Sequence, residues 1–584
     1  MTTLVFDIET DGLDPDNIWC ISTVNAETSE AMSYGPDRLT DGIQYLKSAD
    51  KLVGHNILGY DIPVIKKLMD IDLSKHAKIV DTLVLSRLFN PVREGGHSLE
   101  SWGYRLGHRK LEFEEWGMFT PEMLTYCEND AILNNKILAS LKLESKGFSA
   151  DSVVLEHSAT KIITDQRSHG FLLDVPKATL LIAELSEKLK AVEDKVHETF
   201  RPKKVKTVLK ATFTKSGALS KMAEIKGSAK KSRLTPEEYD EISIKRTLTR
   251  VNEEPFNLGS RKQIGEYLID FGWKPKKFTP TGQPIVDEGT LSKIKNIPEA
   301  QLIAEYLLLQ KRVAQISSWL KEAHDDNRVR GFVNPNGTIT GRMTHNSPNM
   351  AQCPSVRSPY GKECRECWTV PEGYKLVGID ASGLELRMLA HYMNDEAYTN
   401  EILHGDIHTA NQKLAGLESR DQAKTFIYAL VYGAGNFKLG SVVGGNKEDG
   451  ERLRKRFLDN LPAFRHLRDK VTRASTKGYV KGLDGRKLFI RSEHAALNTL
   501  LQGAGAIVMK EAMRILYDKI NERDLDAYFV CNVHDEWQIE AHESIAEEIG
   551  KLGVQSIKDA GTTLKLRCPL TGEFNVGSNW AETH

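Results

Sequence analysis

Residues 376–391 constrain the fold most. An apolar run of Leu376, Val377, Gly378 and Ile379 delivers the carboxylate of Asp380 and gives way almost at once to a helical pattern. Leu376, Val377 and Ile379 read as a short buried strand, Ser382 and Gly383 supply turn chemistry, and Leu384, Met388 and Leu389 recur at helical spacing. Glu385 then falls in the first turn of a helix, one loop from Asp380. A carboxylate where a strand ends is well placed to hold a divalent cation through oxygen. An acidic helix start produces the same pattern with no metal, so the stretch takes its meaning from the rest of the chain.

With 584 residues the chain has room for about three or four domains, each with its own core. Hydrophobic content of 40% and charged content of 27% are ordinary globular values. No uncharged apolar run approaches the roughly 18 residues of a membrane span, so no membrane partner is expected. Asp7 and Glu9 already interrupt the first ten residues, which argues against a signal peptide. Seven scattered cysteines suit a reducing cytoplasm, and a cytoplasmic location is expected. The net charge of −1 decides nothing about nucleic acid, because a polyanion responds to the local field. Locally, residues 201–233 carry eleven Lys and Arg against one acid, Glu224.

Residues 3–9 alternate as a strand that sends Asp7 and Glu9 to one face and Phe6 and Ile8 to the other. Two carboxylates on one face repel unless a cation lies between them. Asp61 has the setting of a helix N-cap, with Pro63 in the first turn. Tyr126 and Asp130 stand four residues apart, on one helix face. This ordered set resembles the DEDD-type 3′-to-5′ exonucleases that carry a tyrosine. The resemblance implies that Asp7, Glu9, Asp61 and Asp130 hold two divalent ions and that Tyr126 orients the attacking water.

Two long amphipathic segments, about 180–200 and 300–323, flank residues 201–255, which lack strong periodicity and suit either a phosphate-tracking element or a solvated loop. Arg342 lies in a Gly-, Asn- and Thr-rich run from which it could reach a groove edge or a phosphate. Cys364 and Cys367 have CxxC spacing, but without a second pair nearby structural thiols are expected rather than zinc. Arg420, Lys424 and Tyr428 share one helix stripe, two cations and a ring that could grip a triphosphate and its sugar, with Phe426, Ile427 and Leu430 behind. Residues 528–541 alternate on both sides of His534-Asp535-Glu536, a hairpin with Asp535 at its tip.

Residues 380–387, 420–435 and 534–536, in that order, are similar to the three polymerase motifs of family A DNA polymerases. With Gly405-Asp-Ile-His408 and residues 481–486 they resemble the replicative polymerases of T-seven-like phages. The resemblance implies an α/β multidomain chain, a right-hand polymerase of palm, fingers and thumb preceded by a ribonuclease H-like DEDD exonuclease domain. The divisions it implies are 1–150 for the exonuclease, 151–330 for the thumb with its basic insertion 201–255, 331–391 and 501–584 for the palm, and 392–500 for the fingers. It implies template-directed DNA synthesis with proofreading, and two Mg2+ ions in each active site. Asp380, Asp535 and the Ala381 carbonyl would bind the polymerase metals, and Lys424 would protonate the leaving pyrophosphate. His408, Arg420 and Lys424 would hold the triphosphate, Tyr428 and Tyr432 would pack at the sugar and template base, and Glu385 would exclude a 2′-OH. Arg342, Gln502 and His534 would contact the primer end.

The implied partners are primer-template DNA, dNTPs, a processivity protein at 201–255 and a replicative helicase-primase. Residues 201–255 do not match the thioredoxin-docking insertion of phage relatives, so thioredoxin is not assigned. Two rivals remain to be weighed: a nuclease whose polymerase half is only a DNA-binding scaffold, and a single-subunit RNA polymerase. The first would have lost Asp380, Asp535 or Lys424, and the second would lack both the exonuclease set and Glu385.

Overall fold

The computed structural model describes residues 2–584. It divides into two compact units, one running to Val175 and resuming over Lys321–His584, the other Pro176–Leu320.

In the first unit, a five-stranded sheet runs in the order Ala31–Tyr34, Ile18–Asn25, Thr3–Thr10, Lys51–Gly54, Lys78–Asp81. Thr3–Thr10 is antiparallel to Ile18–Asn25 and parallel to Lys51–Gly54, which makes it central. Its alternation works as expected: Leu4, Phe6 and Ile8 join a core with Ile43, Leu52 and Ile65 on one face. Val5 packs with Val24, Val53, Ala131 and Leu138 on the other, which helix Pro121–Glu144 covers. Asp7 and Glu9 point to the same face as Val5 and therefore towards that helix.

Farther along the chain, a four-stranded antiparallel sheet runs in the order Ala527–Val533, Glu536–His542, Tyr374–Ala381, Gly572–Gly577. Helix Ala546–Thr563 lies against it at unusually close range. A Cβ at Gly553 would stand 2.3 Å from Ile379 Cδ1, and one at Gly550 2.1 Å from Phe574. Only glycine permits that approach. The strand ending in Ala381 is thus hydrogen-bonded on both edges and pressed from one face, a rigid mount for Asp380. Helices between Glu396 and Ser475 form a cluster beside this sheet, cored by Phe426, Phe457 and Phe464. Successive rings in that row meet edge-on, with centroids 5.6 Å apart at 66° and 80°.

In the second unit, residues 201–255 are not a loop. They fold into a sheet of order Thr247–Glu254, Lys203–Lys210, Met222–Ile225, Lys231–Arg233, packed on helix Pro236–Lys245. The small core is Leu209, Ala223, Leu234 and Ile242. Arg250 fastens helix to sheet by donating to Glu238 at 2.5 and 2.6 Å and to Ser232 at 2.6 Å. Periodicity failed to announce these strands because each contributes only one or two apolar residues to a single buried face. Phe200 stacks on Phe256 with centroids 4.5 Å apart, closing the base of the element.

Candidate active sites

The first acidic centre grows from the central strand Thr3–Thr10. Asp7, Glu9, Asp61, Tyr126 and Asp130 all line one cavity of about 480 Å³, so the structure brings the whole expected set together. Asp7, Glu9 and Cys127 each place a ligand atom within 4.8 Å of the others. Asp61 is not the helix N-cap that its setting suggested. The helix starts at Asp61 after Tyr60, and the carboxylate accepts from the Ile8 N–H at 3.3 Å, which turns it into the cavity. Tyr126 and Asp130 sit one turn apart on Pro121–Glu144, with Trp116 edge-on to the tyrosine ring at 5.6 Å.

Two residues here were not singled out from the sequence. Lys110 pairs with Asp130 at 2.7 Å and stands 4.8 Å from the Tyr126 ring centre, a cation inside a ring of acids. Asp81 is buried and caps helix Thr82–Phe89, accepting from Leu83 N–H at 2.9 Å. The same carboxylate accepts from the N–H groups of Asn56 and Leu58 at 3.0 and 3.1 Å and so fixes the loop before Asp61. An Asp directly before an apolar helical run was the available signal for Asp81. Lys110 had none, since its loop has no periodicity.

Burial, then the neighbouring carboxylates, pushes Asp7 well up; burial, then Asp130, pushes Glu9 up to about 8; burial pushes Asp61 up to about 7. Acids raised in this way bind protons more tightly in the folded than in the unfolded chain. The stability they contribute is complete below their ordinary range near pH 4 and is lost as pH rises through about 7 to 8. Metal-free protein is therefore expected to lose melting temperature between about pH 5 and pH 8, and added Mg2+ should stabilise it more at pH 8 than at pH 6. Calorimetry with and without Mg2+ checks this; equal metal stabilisation at both values would count against a cation site.

The second centre lies at the end of the antiparallel sheet. Strands Ala527–Val533 and Glu536–His542 are joined by His534 and Asp535 alone, with His534 at a φ of 57°. The Asp535 carbonyl accepts from the Ala381 N–H at 3.2 Å, which ties the hairpin tip to the strand that ends in Asp380 and Ala381. Partial dehydration, then the charges of Asp535 and Glu536, pushes the Asp380 carboxyl up to about 7, although its side chain still reaches solvent. Burial raises Asp535 as well, opposed by His534 and Arg342. Carboxylates held together against their mutual repulsion are a donor set suited to divalent cations.

Arg342, Glu385, His534 and Asp535 line a cavity of about 190 Å³ beside them. Glu385 is held from two sides, by Arg342 at 3.2 Å and by the Tyr432 hydroxyl, which donates at 2.5 Å. Gln502, half-buried on helix Ala496–Glu522, does not line that cavity.

Helix Arg420–Val431 begins with a capping box from Ser419 and Gln422. Ala423, Phe426, Ile427 and Leu430 are buried, which leaves Arg420 and Lys424 exposed and Tyr428 half-buried on the opposite stripe. Asp406 caps the helix carrying His408 and accepts from Arg420 at 2.7 Å, so one carboxylate fixes two of the expected phosphate contacts. Burial, then Arg420 and Lys424, holds the His408 imidazole below its usual range, and its ring lies 6.3 Å from that of Tyr428. Tyr428 and Tyr432 are 6.2 Å apart. Cys364 and Cys367 are fully buried, and the Cys367 thiol donates to the Glu363 carbonyl at 3.3 Å.

Two carboxylates at one end of an antiparallel sheet, faced by a helix of exposed cations, make a nucleotidyl-transferring centre, and a ribonuclease H-like sheet with its own acids precedes it. The chain belongs to DNA polymerase family A, whose model matches residues 229–582, and the RNase H superfamily model matches residues 4–103. It is 34% identical to the DNA-directed DNA polymerases of Enterobacteria phage T3 and Escherichia phage T7, over the full length of this chain and of each relative. The thermostable DNA polymerase I of Thermus aquaticus is 28% identical over 59% of this chain and 44% of its own. The POL domain of Pol1 from M. smegmatis, solved in complex with DNA primer-template and dNTP, shares the fold. Its TM-score is 0.76 over 100% of this chain and 96% of that one, at 19% identity. Among the described residues, no helix is long and apolar enough to cross a membrane.

Proposed function

We propose that the chain is a replicative DNA polymerase with a proofreading 3′-to-5′ exonuclease, copying primer-template DNA from dNTPs. The observation that carries this reading is the hydrogen bond between Ala381 and Asp535, which joins two distant motifs into one carboxylate site. Asp380, Asp535 and the Ala381 carbonyl would hold two Mg2+ ions; Asp7, Glu9, Asp61 and Asp130 would hold two more. When bound, the ions lower the pKa of the attacking oxygen and neutralise the leaving one.

The protein's own groups do the rest. Arg420 and Lys424 neutralise the triphosphate, Lys424 delivers a proton to the departing pyrophosphate, and His408 adds a donor. Tyr428 and Tyr432 shape the pocket for sugar and template base. Glu385, clamped by Arg342 and Tyr432, stands rigidly where a 2′-OH would enter, which favours deoxynucleotides. Arg342, Gln502 and His534 contact the primer end at minor-groove acceptors shared by all base pairs. In the exonuclease, Tyr126 orients water, and Lys110, paired with Asp130 at 2.7 Å, offsets the charge of the acids that would hold the metal. Primer extension with Mg2+ by the wild type is the direct test.

Residues 1–150 are assigned to the exonuclease, 151–330 to the thumb, 331–391 and 501–584 to the palm, and 392–500 to the fingers. The insertion 201–255 is assigned to processivity. Lys204, Lys206 and Lys210 alternate along one exposed face of its sheet, away from the Leu209 core, where they can follow a phosphate backbone or seat an acidic protein. Deleting residues 201–255 is expected to shorten the products of a single binding event several-fold while leaving single-nucleotide insertion intact. Unchanged product lengths remove the assignment. A helicase-primase is the partner that such synthesis in the host cytoplasm would call for.

A further inference from the structure

The fingers contain a cation-lined cavity that the chemistry above does not use. About 190 Å³ in volume, it is walled by Gly433, Arg454, Arg468, Thr472, Glu493 and His494. Arg454 lies on helix Lys447–Asn460 and Arg468 on helix Pro462–Ser475, so two different helices turn guanidiniums into one space. One Arg454 N–H donates to the Ala434 carbonyl, but its Nε is buried without a partner. Among the described residues neither arginine has a carboxylate at ion-pair distance; Glu493, which also lines the cavity, is exposed, and Glu451 reaches Arg454 only through its charge. Burial, then the charge of Arg468, holds the Arg454 guanidinium below its usual range. Two like charges in a half-buried space repel unless an anion lies between them, and a guanidinium pair matches phosphate oxygens best.

The position of the cavity says which phosphate. Leu430, Val431 and Gly433 line the cavity, so it lies about 9 to 14 Å beyond Lys424 along the axis of the helix that Arg420 begins, with Leu430 on the buried face opposite Arg420 and Lys424. The anion is therefore not the incoming triphosphate. Gly433 comes immediately after Tyr432, whose ring is 45% exposed beside Glu385. At a φ of 74°, a Cβ on Gly433 would stand 2.4 Å from the His494 carbonyl, so the turn presses directly on the cavity wall. We propose that Arg454 and Arg468 form a phosphodiester site for the template strand, gripping the unpaired backbone just ahead of the base being copied. The proposal rests on the polymerase reading and names a second point at which the template is held.

Equilibrium binding of primer-templates in which one template linkage at a time is an uncharged methylphosphonate tests it, with no nucleotide present. One neutral linkage in the unpaired template should weaken binding by the wild type about tenfold. The same linkage should cost Arg468→Ala less than about twofold, because the charge it would have met is gone. Arg468→Lys should recover part of the sensitivity. The wild-type scan needs no variant, so it remains decisive if a variant folds poorly. A flat scan overturns the proposal. A flat scan accompanied by stabilisation of the wild type with inorganic phosphate, lost in Arg468→Ala, assigns the cavity to a free anion instead. Failure of the polymerase reading would show separately, as no extension on the unmodified template.

Discussion

Asp380→Ala is expected to cut primer extension by at least about a thousandfold while leaving mismatch removal intact. Loss of a metal ligand removes several kcal/mol of charge stabilisation from the transition state, and about 4 kcal/mol corresponds to that factor. The strand itself should survive the change. Its backbone is paired to Glu536 on one side and Glu573 on the other, and alanine fits where a solvent-reaching carboxylate stood. Removing Asp380 also relieves its repulsion with Asp535 and Glu536, so the metal-free variant should melt no lower than the wild type. Single-turnover extension together with calorimetry separates lost chemistry from lost fold. Extension within tenfold of wild type, at an unchanged melting temperature, would sink the assignment of Asp380.

The double change Asp7→Ala with Glu9→Ala should have the complementary effect. Removal of a mismatched 3′ nucleotide is expected to fall by a similar factor of about a thousand or more, with extension from a matched primer unaffected. Both side chains lie in the same cavity as Asp61 and Asp130, and both are raised first by burial, then Asp7 by Glu9 and Glu9 by Asp130. Their loss should stabilise the metal-free protein at pH 8 and reduce the extra stabilisation by Mg2+ there to the share that Asp380 and Asp535 contribute. A variant that still removes mismatches at the wild-type rate excludes these two acids from the site.

Residues that announced themselves did so through local spacing. Asp7 and Glu9 are two apart on a strand, Tyr126 and Asp130 four apart on a helix, and Arg420, Lys424 and Tyr428 lie along one stripe; each short-range geometry holds in the structure. The hairpin bearing Asp535 was legible for the same reason, since alternation on both sides of a two-residue tip leaves little other choice. Asp61 shows the limit of such reasoning. Its place at a helix start was readable, but whether the carboxylate capped its own helix or faced Ile8 on another strand was not.

The sequence by itself determined the strand and helix around Asp380, the hairpin around Asp535 and the spacing of the acids and cations on their elements, because turn residues, alternation and helical spacing act within a few residues of one another. Only the tertiary structure decided that Lys110 stands among the exonuclease acids, that Asp81 fixes the loop before Asp61, and that residues 201–255 fold around Leu209 and Ile242. It alone turned Arg454 and Arg468 towards one cavity. Each of these depends on contacts between segments separated along the chain, where the free energy comes from mutual burial and charge pairing rather than from any local preference.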